Sequence, residues 1–345
     1  MSMISRLLQG RLFYLIASIL IAGAFIGLAR LRAVEPRPHL APKLETLEWW
    51  PSELDADRLQ QLAQERPRAV LAGSLLILLM TGLAIGGSLY TLRALVTGRI
   101  RSMWRFASQQ IPAWSFGELG RIIVLMLLIA AVLPLIHLGV AALTPTHGQD
   151  HHAWITISML VLDAGLVLSI LTFAGWKRRS ARETIGLTRA PWAAIGVGLR
   201  GYLAAFPWLF GLLALMVEVA RRFGWSMPVE PIQELVFQED RGWVLALTLF
   251  LACVVGPLAE ELFFRGVLYA ALRQRISRVL AMVASSAVFS LLHTNAVGFV
   301  PIMALGYLLA NVYERTGSLI APLAVHVVHN SLLLSFALIY RHLLG

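Results

Sequence analysis

Gly256-Pro257-Leu258-Ala259-Glu260-Glu261-Leu262-Phe263-Phe264-Arg265-Gly266 lies inside one of the most apolar stretches of the chain, and its reading decides the fold. An ionisable group at bilayer depth costs a few kcal/mol, roughly 2.5 to 3.5 on insertion scales, so Glu260, Glu261 and Arg265 together call for a chemical or compensating role. Composition establishes the surroundings: 58% of the residues are hydrophobic, 14% are charged and the mean hydropathy is +0.73. So little polar surface cannot wrap a soluble core. The expectation is an all-α, polytopic transmembrane helix bundle in the cell membrane.

Outward from that stretch, apolar runs of spanning length fall near 12–29, 69–92, 121–143, 153–175, 192–217, 243–271, 279–297, 299–313 and 319–340. Since roughly 20 residues cross the hydrocarbon, these runs give about nine spanning helices, with the catalytic core in the last four or so. The formal charge of +10 does not signal nucleic acid, because the basic residues gather in short segments between apolar runs. Arg93, Arg99, Arg101, Arg105 and Arg121 mark one such segment; Lys177, Arg178, Arg179, Arg182 and Arg189 mark another. Both read as cytoplasmic. Segment 144–152 between them has no Lys or Arg and carries Asp150 with His147, His151 and His152, so it reads as the outer side. Alternation then places the N-terminus in the cytoplasm, 33–68 and 218–242 outside, and Arg273, Arg275 and Arg278 inside.

Two units are expected. Residues 1–110 supply two N-terminal transmembrane helices, a polar outer loop at 33–68 and an amphipathic inner-surface segment near 93–108. Residues 111–345 form the membrane domain that holds the conspicuous polar residues. The run at 12–29 reads as a retained signal anchor, because Arg30 and Arg32 follow it. Cys253, the single cysteine, rules out an internal disulfide and a cysteine-based metal cluster, leaving packing as its role.

Phe289-Ser290-Leu291-Leu292-His293 and His326-Val327-Val328-His329-Asn330 bring further polar groups into the last helices. At about 1.5 Å rise per residue, Glu260 lies ~20 Å from Arg273 and His293 ~22 Å from Arg278, while His326 and Asn330 lie ~10 and ~17 Å along a helix beginning near Leu319. These depths agree within about two helical turns, so one buried site is geometrically allowed. Glu261 and Arg265, at i and i+4 in the favourable acid-first order, read as an ion pair. Glu260 points about 100° away on an α-helix and is left free, as a general base requires. His326 and Asn330 share one helix face and can donate to a developing oxyanion, with His293 and Glu260 holding and deprotonating water.

The ordered motifs Glu260-Glu261-x-x-x-Arg265, Phe289-x-x-x-His293 and His326-x-x-x-Asn330 resemble the signature of the CPBP (Abi) family, the CAAX-protease and bacteriocin-processing intramembrane proteases. Leu305-Gly306-Tyr307 and Arg315-Thr316-Gly317-Ser318-Leu319-Ile320-Ala321-Pro322 resemble the same family's linker, and Ile185-Gly186-Leu187 its short upstream element. The likeness is strongest over 243–340. It implies an intramembrane endopeptidase that hydrolyses a peptide bond of a membrane-associated or lipidated substrate. By that resemblance Glu260 and His293 activate the water, His326 and Asn330 form the oxyanion hole, and Glu261 and Arg265 support them. It implies no cofactor, and partners limited to a membrane peptide or protein and the bilayer.

Other readings stand beside this one. Glu260, His293 and His326 also compose a His₂Glu zinc set with water as fourth ligand. A proton- or ion-coupled transporter would use buried Glu, His and Arg as a relay, but the motifs crowd into the last third without a matching half. A non-catalytic membrane scaffold or immunity protein would keep the fold alone. The other polar interruptions read as structural: Asp163 with Arg200 as an interhelical pair, His137 as a packed residue and His329 as a neighbour of the motif. Gly73, Gly82, Gly86 and Gly87 are expected to permit close helix packing, and Gly256-Pro257 to kink its helix.

Overall fold

A computed structural model describes residues 10–32, 56–99, 111–143, 151–177, 180, 183, 191–225, 231–293 and 296–344. Among them every regular element is a helix, which is what lipid dictates: a spanning segment must satisfy its own backbone groups. The order is α1 (Arg11–Arg32), α2 (Ala56–Glu65), α3 (Pro67–Val96), α4 (Phe116–Leu143), α5 (His151–Trp176) and α6 (Pro191–Phe223). There follow α7 (Pro231–Gln238), α8 (Gly242–Arg273), α9 (Arg278–Leu292), α10 (Phe299–Thr316) and α11 (Ile320–Leu344). Six of these, α3, α4, α5, α6, α8 and α11, are long and apolar enough to cross a membrane. The protein is a multi-pass helical membrane bundle.

Each expected apolar run coincides with a helix, but three fall short of a full span by length or composition. The apolar part of α1 among the described residues is Leu12–Gly23, and α9 has only 15 residues. Helix α10 carries Glu314 and Arg315 within its 18 residues. The expected outer loop contains the short helix α2, while 33–55, the inner-surface segment from 100 to 110 and Ile185-Gly186-Leu187 lie outside the described residues. Apolar side chains turned outward, such as Leu71, Leu78 and Leu89 on α3, face the hydrocarbon.

Small residues set the helix spacing. A methyl group at Gly87 of α3 would sit 2.1 Å from the Leu203 carbonyl oxygen and 3.0 Å from Pro207 Cδ, so only glycine admits α6 at this distance. Gly198 of α6 plays the same part against α11, where a methyl would meet the Ala321 carbonyl oxygen at 2.7 Å. A methyl at Gly73 would press on Ile339 of α11 at 3.3 Å, Gly86 touches Leu203 at ordinary range and Gly82 faces open space, so the expectation of close packing holds for Gly87, to a lesser degree for Gly73, and not for Gly82.

Polar ties close both ends of the C-terminal bundle. At one end the buried Glu314 of α10 accepts a hydrogen bond from Tyr269 Oη at 2.5 Å on α8 and another from Arg273 Nε at 3.4 Å. Arg278 of α9 approaches the same carboxylate at 2.6 Å as an ion pair without hydrogen-bond alignment. Gly317, in the left-handed region at φ 63°, caps α10 with an N–H to the Tyr313 carbonyl and turns the chain into α11. At the other end Arg341 of α11 donates to the carbonyls of Val236 and Glu239 and to Asp240. Hydrogen bonds from Arg241 hold the Glu239 carboxyl well below the usual glutamate range, at about 2, and His152 of α5 contacts it at 3.1 Å. One set of ties thus joins α10 to α8 and α9, and the other fastens the C-terminal end of α11 to α7 and the turn that follows it.

Replacing Gly87 with alanine is expected to force α3 and α6 apart and lower stability by about 1–3 kcal/mol, the usual range for overpacking. Thermal unfolding in detergent is the check. An unchanged melting temperature would contradict the close α3–α6 contact.

Candidate functional site

Helix α8 is not α-helical throughout. Leu251–Val255 and Glu261–Tyr269 are π-helical, separated by the α-helical turn Gly256–Glu260. Such wide turns are rare and favour functional sites, because they move a side chain around the helix and leave carbonyls without partners. Gly256 N–H bonds to the Leu251 carbonyl five residues back, and the next residue, Pro257, has no N–H to give. The Ala252 carbonyl is the one Pro257 would have served in that pattern. Asn330 Nδ2 of α11 donates to it at 2.9 Å. Proline therefore widens α8 here instead of breaking it, and the freed carbonyl fixes the Asn330 amide while leaving its second N–H for other use.

The second π segment carries the buried charges. Arg265 donates from one Nη to Glu261 Oε1 at 2.9 Å and from the other to the Gly306 carbonyl at 3.1 Å, with its guanidinium carbon 4.6 Å over the Phe289 ring. Gly306 permits this reach: a methyl there would meet Ser286 Cβ at 3.1 Å and Phe289 Cδ1 at 3.2 Å. One arginine thus touches α8, α9 and α10, and the expected Glu261–Arg265 pair is present, both side chains almost fully buried.

His326 of α11 completes the chain of contacts. Its Nδ1 lies 2.8 Å from the same Glu261 Oε1, and its Nε2 lies 3.6 Å from Glu260 Oε2. A carboxylate that already receives an arginine N–H is an acceptor, which assigns the His326 proton to Nδ1 and turns Nε2 toward Glu260. The two glutamates are sharply divided by access: the Glu261 side chain is 1% exposed and that of Glu260 is 32% exposed. Glu260 is the open carboxylate of the site.

His293 follows the last residue of α9. Its Nδ1 lies 2.8 Å from the Phe289 carbonyl, an acceptor, so Nδ1 carries a proton and Nε2 is the ring nitrogen left to face away from that bond. A hydrogen bond from Ser290 Oγ to the Phe299 carbonyl at 2.6 Å fastens the turn that presents it. Phe289 stands between the two imidazoles, its ring centroid 4.7 Å from that of His293 and 5.9 Å from that of His326.

The structure therefore joins Glu260, Glu261, Arg265 and His326 by direct contact and puts Asn330 on the same face of α11, against α8. His293 reaches them across Phe289 and forms no ion pair with Glu260. No group of three His, Cys, Asp or Glu side chains that could hold a metal ion occurs among the described residues. His329 turns to α6, where Tyr202 Oη meets its Nδ1 at 3.0 Å, and it stays a neighbour of the motif. Asp163 and Arg200 do not pair: Asp163 faces Gly256 of α8, whereas Arg200 lies within electrostatic reach of Arg315. Phe289, which opens the motif ending at His293, also serves as the cation-π partner of Arg265, a role that charge alone does not announce. Its i, i+4 spacing to His293 was the available signal.

With this geometry in view, comparison with known proteins is specific. Residues 242–332 match the family model of type II CAAX prenyl endopeptidase Rce1-like proteins, a segment that contains every residue of the site named so far. The chain is 26% identical over 198 residues to a protein of Bacillus subtilis (strain 168) named as a candidate membrane peptidase, YdiL, covering 56% of this chain and 76% of that protein. It is 28% identical over 102 residues to the membrane-embedded CAAX protease MroQ of Staphylococcus aureus (strain USA300), covering 28% of this chain and 41% of that protein. No solved structure gives a significant match.

Replacing Arg265 with methionine would leave Glu261 buried without its cation, an arrangement that typically costs about 3–5 kcal/mol. The expected result is loss of monodisperse protein or a marked fall in melting temperature in detergent, with Arg265→Lys less severe. A methionine variant as stable as wild type would show that the pair does not hold the bundle.

Proposed function

We propose that the protein is an intramembrane endopeptidase of the CPBP (Abi) family that cleaves a membrane-associated or lipidated peptide with water activated by Glu260; the Rce1-like match over 242–332 and the likeness to the two bacterial membrane proteins support that reading. One observation carries the reading: of two adjacent acids, the buried Glu261 is engaged by Arg265 and His326, and the half-buried Glu260 is left open against His326 Nε2.

In the proposed reaction the Glu260 carboxylate takes a proton from water as its oxygen attacks the scissile carbonyl carbon. His293, through Nε2, shares the positioning of that water. The carbonyl oxygen becomes an oxyanion and receives N–H bonds from His326 and from the second amide hydrogen of Asn330. Glu261 holds His326 through Nδ1, so the edge of the ring that faces the oxyanion is Nε2. The intermediate collapses with cleavage of the C–N bond, and Glu260 returns its proton to the leaving nitrogen. Arg265 and Glu261 act through His326 by fixing its ring.

The proposal extends to the rest of the chain. Residues 111–345 form the protease domain, residues 1–110 add two helices to it, and the N-terminus is cytoplasmic. The class of substrate suggested by the family name is a CAAX-type carboxyl-terminal segment. No metal takes part in the proposed mechanism.

Reconstituted wild-type protein is expected to cleave candidate membrane or lipidated peptides, with Glu260→Ala and His293→Ala slower by at least about 100-fold, as loss of a general base implies. A metal chelator is expected to leave the rate unchanged. Full proteolysis by both variants would refute the mechanism. Inhibition by chelator with recovery on adding zinc would favour the His₂Glu zinc set, and ion flux dependent on Glu260 without cleavage would favour a transporter.

A further inference from the structure

Arg121 is the sixth residue of α4, about 7.5 Å from the start of the helix, and from Ile122 to Leu143 no Asp, Glu, Lys or Arg follows it. Its charge stands where the hydrocarbon begins. Glu118, three residues earlier in the favourable acid-first order, is the partner that the sequence offers. That carboxylate is already engaged: Lys177 Nζ of α5 lies 2.6 Å from it, and the Ser115 N–H and hydroxyl donate to it at 2.8 and 2.9 Å. Arg121 turns instead to α1, with its guanidinium carbon 5.7 Å over the Tyr14 ring. It forms no hydrogen bond or ion pair with a described residue. The sequence ahead of Glu35 contains no acid, so neither α1 nor the residues before it bring one.

Beside this cation the two helices leave space. Tyr14, Gly117, Gly120 and Val124 line a cavity of about 220 Å³ that has Arg121 in its wall, and a methyl group at Gly120 would meet nothing within 4 Å. A second cavity, of about 260 Å³, follows the same seam, walled by Phe13, Ile16 and Leu20 of α1 and Leu128 of α4. Helices α1 and α4 run parallel, since Tyr14 meets Arg121 and, six residues on, Leu20 shares a cavity with Leu128. Leu12, Ile16 and Leu20 are exposed around the second cavity, so it opens on hydrocarbon, where acyl chains are the occupants at hand. A phosphate beside Arg121 would accept paired N–H bonds from the guanidinium fork. Basic pockets between transmembrane helices are a recurring means of holding anionic head groups. A head group with an ammonium of its own would bring a second cation to Arg121, which selects a head group of net negative charge.

We propose that the α1–α4 seam is a binding site for one anionic phospholipid, its phosphate on Arg121 beside Gly117 and Gly120 and an acyl chain along Phe13, Ile16 and Leu20. The lipid supplies the countercharge that Glu118 does not, and it joins α1 to α4. The site does not depend on the protease reading.

In the test, full-length protein stripped of lipid in detergent is titrated with phosphatidylglycerol, with phosphatidylcholine of the same acyl chains and with inorganic phosphate. Lipid retained in native mass spectra and melting temperature are recorded. Phosphatidylglycerol is expected to be retained at one molecule per chain and to raise the melting temperature, whereas phosphatidylcholine and inorganic phosphate do neither. Arg121→Gln is expected to weaken retention by about 10- to 100-fold, as loss of a hydrogen bond from a charged group implies, and Arg121→Lys by less. Gly120→Leu fills the cavity and keeps the charge; it is expected to weaken retention while melting like wild type in lipid-free detergent, which separates loss of the site from loss of the fold. Equal retention of the two phospholipids by wild type would overturn the proposal, as would undiminished retention by Arg121→Gln or by Gly120→Leu. Stabilisation by inorganic phosphate as large as that by phosphatidylglycerol would also overturn it, leaving a simple anion site.

Discussion

The rest of the C-terminal bundle depends on how one buried arginine is satisfied. Arg265 has a permanent charge and five N–H groups in surroundings that exclude water, and desolvation of such an ion costs several kcal/mol unless partners replace the water. Glu261 one turn away, the Gly306 carbonyl on α10 and the Phe289 face on α9 are those partners. Three helices are thereby fixed to one another at the depth of the site. His326 is drawn in by the same constraint, because the Glu261 oxygen that receives Arg265 also receives its Nδ1–H. The structural pair and the proposed chemical group are successive links of one chain.

A second constraint comes from Pro257. An α-helix cannot pass a proline without an unserved carbonyl, and α8 passes it by widening to π geometry on the preceding turn. The Ala252 carbonyl then accepts Asn330, which ties α11 to α8 one turn from His326. The second π segment, beginning at Glu261, carries the buried pair itself. Polar ties at Glu314, between α10 and α8, and at Arg341, between α11 and the turn after α7, reinforce the packing around that site.

Much of this was legible in the sequence because charge in an apolar run is conspicuous. The Glu261–Arg265 spacing disclosed the ion pair, and the rise per residue correctly allowed Glu260 and His326 to share a depth. What could not be read were properties set by neighbouring helices. Asp163 looked like a partner for Arg200, since two opposite charges in apolar helices invite pairing; the structure sets it against Gly256 of α8 instead. The π turns escaped notice because their cause is the accommodation of Pro257 by α11 as much as any local propensity. The motif named Phe289, but only the packed helices show its ring against both His293 and His326. Gly82 and Gly87 are alike in sequence context, and only packing distinguishes the one that α6 approaches.

The central claim is that two neighbouring glutamates have been divided between structure and chemistry. Its most direct measurement is a comparison of Glu260→Gln with Glu261→Gln in lipid vesicles, recording both melting temperature and peptide cleavage. The account predicts that Glu260→Gln melts like wild type and does not cleave, whereas Glu261→Gln melts at a lower temperature because Arg265 and His326 lose their shared acceptor. A Glu260→Gln variant that cleaves normally, beside a Glu261→Gln variant that is fully stable and inactive, would contradict it.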